Sequence, residues 1–228
     1  MHIAIIMDGN RRYAKKLMLE PWKGHEFGAK KVHELIDWCS DLEIDELTLY
    51  ALSTENFESR SKLELDVLFK LFKNKFEELK NDTRLMDNGI RIRFIGRLEM
   101  FDSELQQAMQ DIMEQTKENS NVTINFAVAY GGRPELIDAI KEIATDVKKG
   151  VLDVSDINES IIDKHVYNPS QPEIIIRTSG EKRLSNFLMW QSGYAELFFI
   201  DKMWPALMKE DLVSIMEDFK KRNRRFGK

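Results

Sequence analysis

Short apolar runs alternate with longer amphipathic stretches along the whole chain, and that alternation constrains the fold more than any other feature. "HIAIIM" reads as a buried strand, and "ELTLYAL", "IRIRFIG", "VTINFAVAY", "EIIIRT" and "AELFFI" read as five more. Between them, "GAKKVHELIDWCSDL" places Val32, Leu35, Ile36 and Cys39 on one helical face. "SKLELDVLFKLFKNKFEELKND", "DSELQQAMQDIMEQTKE", "RPELIDAIKEIATDVKKG", "DINESIIDKHV" and "KEDLVSIMEDFKKRNRR" are further helices. Asp102 or Ser103 caps the third of these six, and Pro134 and Gly150 bracket the fourth. Strands alternating with helices predict an α/β fold, a mainly parallel six-stranded sheet flanked by helices. No long linker, repeat or low-complexity tract divides residues 1–228, so one domain is expected.

Bulk properties narrow the function. The net charge is −5, which argues against general nucleic-acid binding but permits a local basic site. The single cysteine, Cys39, allows no intrachain disulfide and suits a reducing, cytoplasmic setting; its apolar neighbours predict a packing role. The first apolar run leads straight into an Asp-Gly-Asn turn, so no signal peptide is expected. No run approaches the ~18 residues of a membrane span. The four histidines lack close zinc spacing; His33 and His165 read as fillers. There is no Walker motif, G-x-G-x-x-G or G-x-S-x-G.

Open parallel sheets bind ligands beyond the carboxyl ends of their strands. Four polar clusters sit there: "DGNRR", "STENFESR", "YGGR" and "RTSGEKRLSN". Each alone is ordinary turn chemistry. Together they bring Arg11, Arg12, Arg60, Arg133, Arg177 and Arg183 toward one edge of a net acidic protein, and guanidinium forks match phosphate oxygens. Asp8 among them would repel a phosphate unless a cation such as Mg²⁺ lay between. The "SKLELDVLFKLFKNKFEELK" helix carries Leu65, Phe69, Phe72, Phe76 and Leu79 on one stripe and Leu63, Val67 and Leu71 on another. Two stripes mean burial on both sides, or one side facing an apolar ligand.

Taken in order, "MDGNRRYAKK", "GHEFGAKKV", "LTLYALSTENF", "YGGR", "IIIRTSGEKRLSNFLMWQSGYAELFF" and the closing "RRFG" resemble the cis-prenyltransferases, the undecaprenyl diphosphate synthase family, over nearly the whole chain. The paired DDxxD motifs of the all-trans synthases are absent. The resemblance implies condensation of isopentenyl diphosphate with an allylic prenyl diphosphate, dependence on Mg²⁺ and a homodimer. A lipid product would bring peripheral contact with a membrane. By position it implies that Asp8 binds Mg²⁺ with the allylic diphosphate, which Gly9, Asn10, Arg11 and Arg12 cradle, with Tyr13 and His25 beside it. Ser53, Thr54, Glu55, Asn56 and Phe57 match a loop that closes over the substrates, Asn56 as the proton-handling member. Arg177, Arg183, Leu184 and Ser185 match the isopentenyl diphosphate site, Glu196 a second acidic metal ligand, and Arg225 and Gly227 a tail that reaches the partner's site. The family's arginine before Gly-His is Pro21 here, leaving Lys23 as the nearest cation, and its loop arginine is shifted by one residue to Arg60. Glu173 replaces an aspartate. The family's non-catalytic subunits lose Asp-Gly-Asn; this chain keeps it.

Overall fold

A computed structural model describes residues 1–222. The strands are β1 (His2–Ile6), β2 (Glu46–Tyr50), β3 (Ile90–Ile95), β4 (Val122–Ala127), β5 (Ile174–Arg177) and β6 (Glu196–Phe199). They form one sheet in the order β3-β4-β2-β1-β5-β6, with every pairing parallel. The helices are α1 (Asn10–Lys16), α2 (Lys23–Asp41), α3 (Thr54–Ser59), α4 (Lys62–Lys80), α5 (Arg84–Asp87), α6 (Ser103–Gln115), α7 (Gly132–Lys148), α8 (Glu159–His165) and α9 (Lys209–Lys221).

Side chains of a strand alternate between faces, and β1 shows what each face buries. Ile3 and Ile5 enter the larger core, with Leu47 and Leu49 of β2, Ile124 and Phe126 of β4, and Leu35 and Cys39 of α2. Ala4 and Ile6 face a smaller core with Tyr50, Tyr130, Phe187 and Leu188. Cys39 is buried, its thiol pushed up to about 12 by burial and the nearby Asp37, and its Sγ donates to the Leu35 carbonyl. It packs, as its neighbours predict. Asp102 is the residue that caps α6, accepting from the Leu105 amide.

Two expectations are corrected. "STENFESR" is not an open loop: Ser53 accepts from the Asn56 amide and caps the short helix α3. The second stripe of α4 is also displaced. Leu63 is 67% exposed, and Leu68, outside both predicted stripes, is buried at 4%. The apolar faces of α4 are set by what packs on them, which periodicity alone does not reveal.

Candidate active site

Three neighbouring strands, β2, β1 and β5, end beside one another, and the chain leaving each lines a single cleft of about 780 Å³. From β1 come Asp8, Gly9, Asn10, Arg11, Arg12 and Lys15; from β2, Ser53, Glu55, Asn56 and Arg60; from β5, Arg177, Arg183, Ser185 and Asn186. His25 of α2 closes one side.

Asp8 is held from both ends. Its carbonyl accepts from Thr178 Oγ1 at 2.7 Å and from the Trp204 amide at 2.9 Å. Its Oδ2 accepts from Arg177 Nη2 at 2.9 Å, and its Oδ1 lies 3.2 Å from Arg12 Nη2. The chain then turns at Gly9 with φ +102°, a conformation that favours glycine, and a Cβ there would fall 2.7 Å from Ser179 Oγ. Arg177 is the hub. Its side chain is 6% exposed, and its Nη1 donates to Ser185 Oγ and to the Arg183 carbonyl, each at 2.7 Å. Its Nε is buried without a partner among the described residues.

The lining carries six cations, Arg11, Arg12, Lys15, Arg60, Arg177 and Arg183, against the carboxylates Asp8 and Glu55. Glu181 ties Arg12 to Arg183, and Glu64 pairs with Arg11. Burial, then the charges of Arg60 and Arg11, push His25 down to about 4, so its ring is neutral at ordinary pH. Burial also lowers Arg60, although Glu64 opposes that; a guanidinium still stays charged. Such a cleft suits a polyanion, and the excess of arginine favours phosphate.

A second, apolar cavity of about 100 Å³ continues from it. Met7, Asn10, His25 and Ala51 border both spaces. Val32 of α2, Leu68, Leu71, Phe72 and Phe76 of α4, and Phe126 and Val128 beyond them supply most of its apolar wall, to which His33 and Lys75 also contribute. The cleft suits a polar head, and the adjoining cavity, large enough for only a few carbon atoms as it stands, marks an apolar direction leading away from it between α2 and α4.

Several residues singled out from sequence lie elsewhere. Tyr13 packs edge-on against Phe27, ring centres 5.5 Å apart. Lys23 is exposed and pairs with Glu26. Thr54 is buried, its amide bonded to the Tyr130 carbonyl. Phe57 joins Phe69 and Phe101, so Phe69 faces this aromatic cluster and not the apolar cavity. Leu184 packs on the smaller core. Arg133 is exposed outside the cleft lining. Glu196 stands level with Ile174 and Ile3 at the amino edge of the sheet, and Arg222 Nη1 bonds it at 2.7 Å. Within one chain it does not meet Asp8. Arg225 and Gly227 lie outside the described residues. Sequence reading missed Lys15, Tyr50 and Asn186; the Ser-Asn pair after Leu184 was the available signal, since asparagine tolerates φ > 0.

A family model described as putative undecaprenyl diphosphate synthase matches residues 6–227. The chain belongs to the undecaprenyl diphosphate synthase family. It is 49% identical over 229 residues to the tritrans,polycis-undecaprenyl-diphosphate synthase (geranylgeranyl-diphosphate specific) of Pyrococcus furiosus, covering 100% of this chain and 86% of that one. The protein of the same description from Thermoplasma acidophilum is 43% identical, covering 100% and 88%. Among solved structures, lavandulyl diphosphate synthase from Lavandula x intermedia, in complex with dimethylallyl diphosphate, superposes with a TM-score of 0.94 at 33% identity, covering 100% of this chain and 98% of that one. A probable undecaprenyl diphosphate synthase from Campylobacter jejuni gives 0.82 at 32%, with the same coverage. Enzymes of this family elongate prenyl diphosphates with isopentenyl diphosphate, and this chain is a prenyltransferase of that kind.

Proposed function

We propose that the cleft holds two diphosphates at once, that of an allylic primer beside Asp8 to Arg12 and that of isopentenyl diphosphate beside Arg177, Arg183 and Ser185, and that the primer's tail runs into the apolar cavity. The observation that carries this reading is the shared border: Met7, Asn10, His25 and Ala51 line both the cationic cleft and the apolar cavity. A primer with four prenyl units fits the curated relatives, which are described as geranylgeranyl-diphosphate specific.

The reaction follows from the placement of charge. Arginines around the departing diphosphate stabilise the charge it gains as the allylic carbon–oxygen bond breaks. The isopentenyl double bond attacks that carbon, and a proton leaves to set the new double bond. An amide is a poor base, so Asn56 orients the groups or passes the proton toward the released diphosphate. The apolar cavity keeps water from the cation-like carbon.

Mg²⁺ fits the donors present. Among the described residues no group of three or more histidine, cysteine or acidic side chains forms a self-sufficient metal site. Asp8 is a carboxylate beside the proposed primer diphosphate, the other lining carboxylate, Glu55, being engaged by Asn186, and Mg²⁺ is commonly held by one or two carboxylates plus substrate oxygens. Bound there, it would neutralise diphosphate charge as a Lewis acid. A role for Glu196 as a ligand requires a second chain, because its own chain keeps it at the opposite edge of the sheet. Among the described residues no helix is long and apolar enough to cross a membrane; contact with one through the lipid product stays peripheral in this reading.

The test is incorporation of labelled isopentenyl diphosphate with dimethylallyl, C10, C15 and C20 primers and Mg²⁺, products separated by length. Preferred extension of the C20 primer to a long polyprenyl diphosphate supports the reading. No incorporation with any primer overturns it.

A further inference from the structure

Asn186 sits where the two walls of the cleft touch. Its backbone is left-handed, with φ +63°. Its carbonyl accepts from the Gly132 amide at 2.7 Å, and its Oδ1 accepts from the Arg133 amide at 2.9 Å. These belong to the first turn of α7, whose amides have no acceptor within the helix. With Oδ1 committed there, Nδ2 must point the other way, and it donates to Glu55 Oε1 at 2.9 Å. Burial alone would raise the Glu55 carboxyl. Hydrogen bonds from its own backbone, Asn186, Ser53 and Thr54 outweigh that and hold it below the usual range, so the acceptor is a carboxylate.

The surrounding backbone is shaped for this contact. A Cβ on Gly131 would fall 2.7 Å from Asn186 Nδ2 and 2.8 Å from Thr54 Oγ1. The "YGGR" cluster therefore makes room for a junction, while its arginine side chain stays outside the cleft. Tyr50 Oη bridges the same region, lying within hydrogen-bond reach of the carbonyls of Tyr130 and Ser185.

We propose that Asn186 is a positioning residue: it latches α3, which carries Asn56 and leads into Arg60, to the 183–186 segment, which carries Arg183 and Ser185. The two walls then order together, and a diphosphate bound on one wall prepares the other. This rests on the two-diphosphate reading above.

A charge-pattern swap tests it. Asn186→Asp keeps the acceptor for the Arg133 amide and tolerates the backbone, but sets a carboxylate against Glu55. Glu55→Gln keeps an acceptor for Asn186 but loses the charge that strengthens the bond, so it should weaken the latch less than Asn186→Asp, which sets two carboxylates together. In the double variant the amide introduced at position 55 can donate to the carboxylate introduced at position 186, restoring the latch with donor and acceptor exchanged. Asn186→Asp is expected to raise KM for isopentenyl diphosphate about tenfold, as loss of a charge-assisted bond would. It should also speed hydrogen exchange at residues 54–59 without lowering Tm to match. The double variant should recover both. A double variant as impaired as Asn186→Asp, or an Asn186→Asp chain with wild-type exchange at residues 54–59, overturns the latch. Failure of the functional reading looks different: no variant turns over, wild type included, while the exchange pattern still reports on the latch.

Discussion

Arg177 gives one nitrogen to Asp8 and another to Ser185 and the Arg183 carbonyl, so one buried side chain joins the ends of β1 and β5. Removing its counter-charge has a structural cost. Breaking a fully buried pair costs about 3–5 kcal/mol, and less here because Asp8 is 28% exposed. Asp8→Asn, which keeps an acceptor for Arg177, is therefore a cleaner probe of chemistry than Asp8→Ala. His25 provides a pH test. Its ordinary value is near 6.5 and its folded value is about 4. Between those pH values the unfolded chain takes up a proton that the folded chain does not, so this residue's contribution to stability falls as pH drops from 6.5 to 4. Measured by denaturation across that range, His25→Asn should gain stability relative to wild type as the pH is lowered. A constant difference would mean that His25 titrates normally. At this scale the arginines were legible because few side chains suit phosphate, and Asp8 because a carboxylate among them calls for a cation. Asn186 was not, because its partners, Glu55 and the start of α7, are 131 and 53 residues away in sequence.

Helices α1 and α2 can approach closely only because Gly24 and Gly28 lack side chains. A Cβ on Gly24 would fall 1.9 Å from the Asn10 carbonyl oxygen, and one on Gly28 would fall 2.3 Å from Asn10 Oδ1. Asn10 is thereby set between cleft and cavity. Helix α4 divides its phenylalanines between two tasks. Phe72 and Phe76 wall the apolar cavity, while Phe69 packs in the cluster with Phe57 and Phe101. Phe72→Ala should lengthen the products, since growth stops where the chain meets bulk. Phe69→Ala should leave product length unchanged and lower stability, by up to about 3–5 kcal/mol if the site cannot relax. Melting curves and product sizing on the same two proteins separate the outcomes, and a reversal would misassign the wall. The 3.6-residue period showed that α4 has more than one apolar face. It could not show which phenylalanine meets a neighbour and which meets empty space, because that depends on α2, α3 and α6.

Strand alternation made a parallel sheet legible, but strand order was not, since pairing β1 between β2 and β5 joins segments far apart in the chain. That order sets the polarity of the molecule. The cleft lies at the carboxyl edge, whereas Glu196 lies at the amino edge, bonded to Arg222, whose guanidinium sits 3.9 Å over the Phe198 ring. Arg222, the last described residue, precedes the Arg225–Gly227 stretch and is anchored at the edge away from its own cleft. A tail acting on a partner's cleft fits that anchoring. A chain lacking residues 225–228 and an Asp8→Asn chain should each be nearly inactive alone. Co-expressed, they should regain activity, because one cleft then combines an intact Asp8 with a donated tail. Activity no greater than the sum of the parents, or a monomer by light scattering at assay concentration, contradicts a shared site.

The proposed function turns on Asp8 and the arginines around it as the centre where the allylic diphosphate departs. The most direct measurement is single-turnover transfer of labelled isopentenyl diphosphate to a C20 primer by wild type and Asp8→Asn, with Mg²⁺ and with a chelator. The expected result is a loss of about a thousandfold or more for Asp8→Asn, with Tm lowered less than by Asp8→Ala and the chain still folded at the assay temperature, and a comparable loss for wild type with the chelator. Near-normal transfer by Asp8→Asn, or by wild type with the chelator, would contradict it.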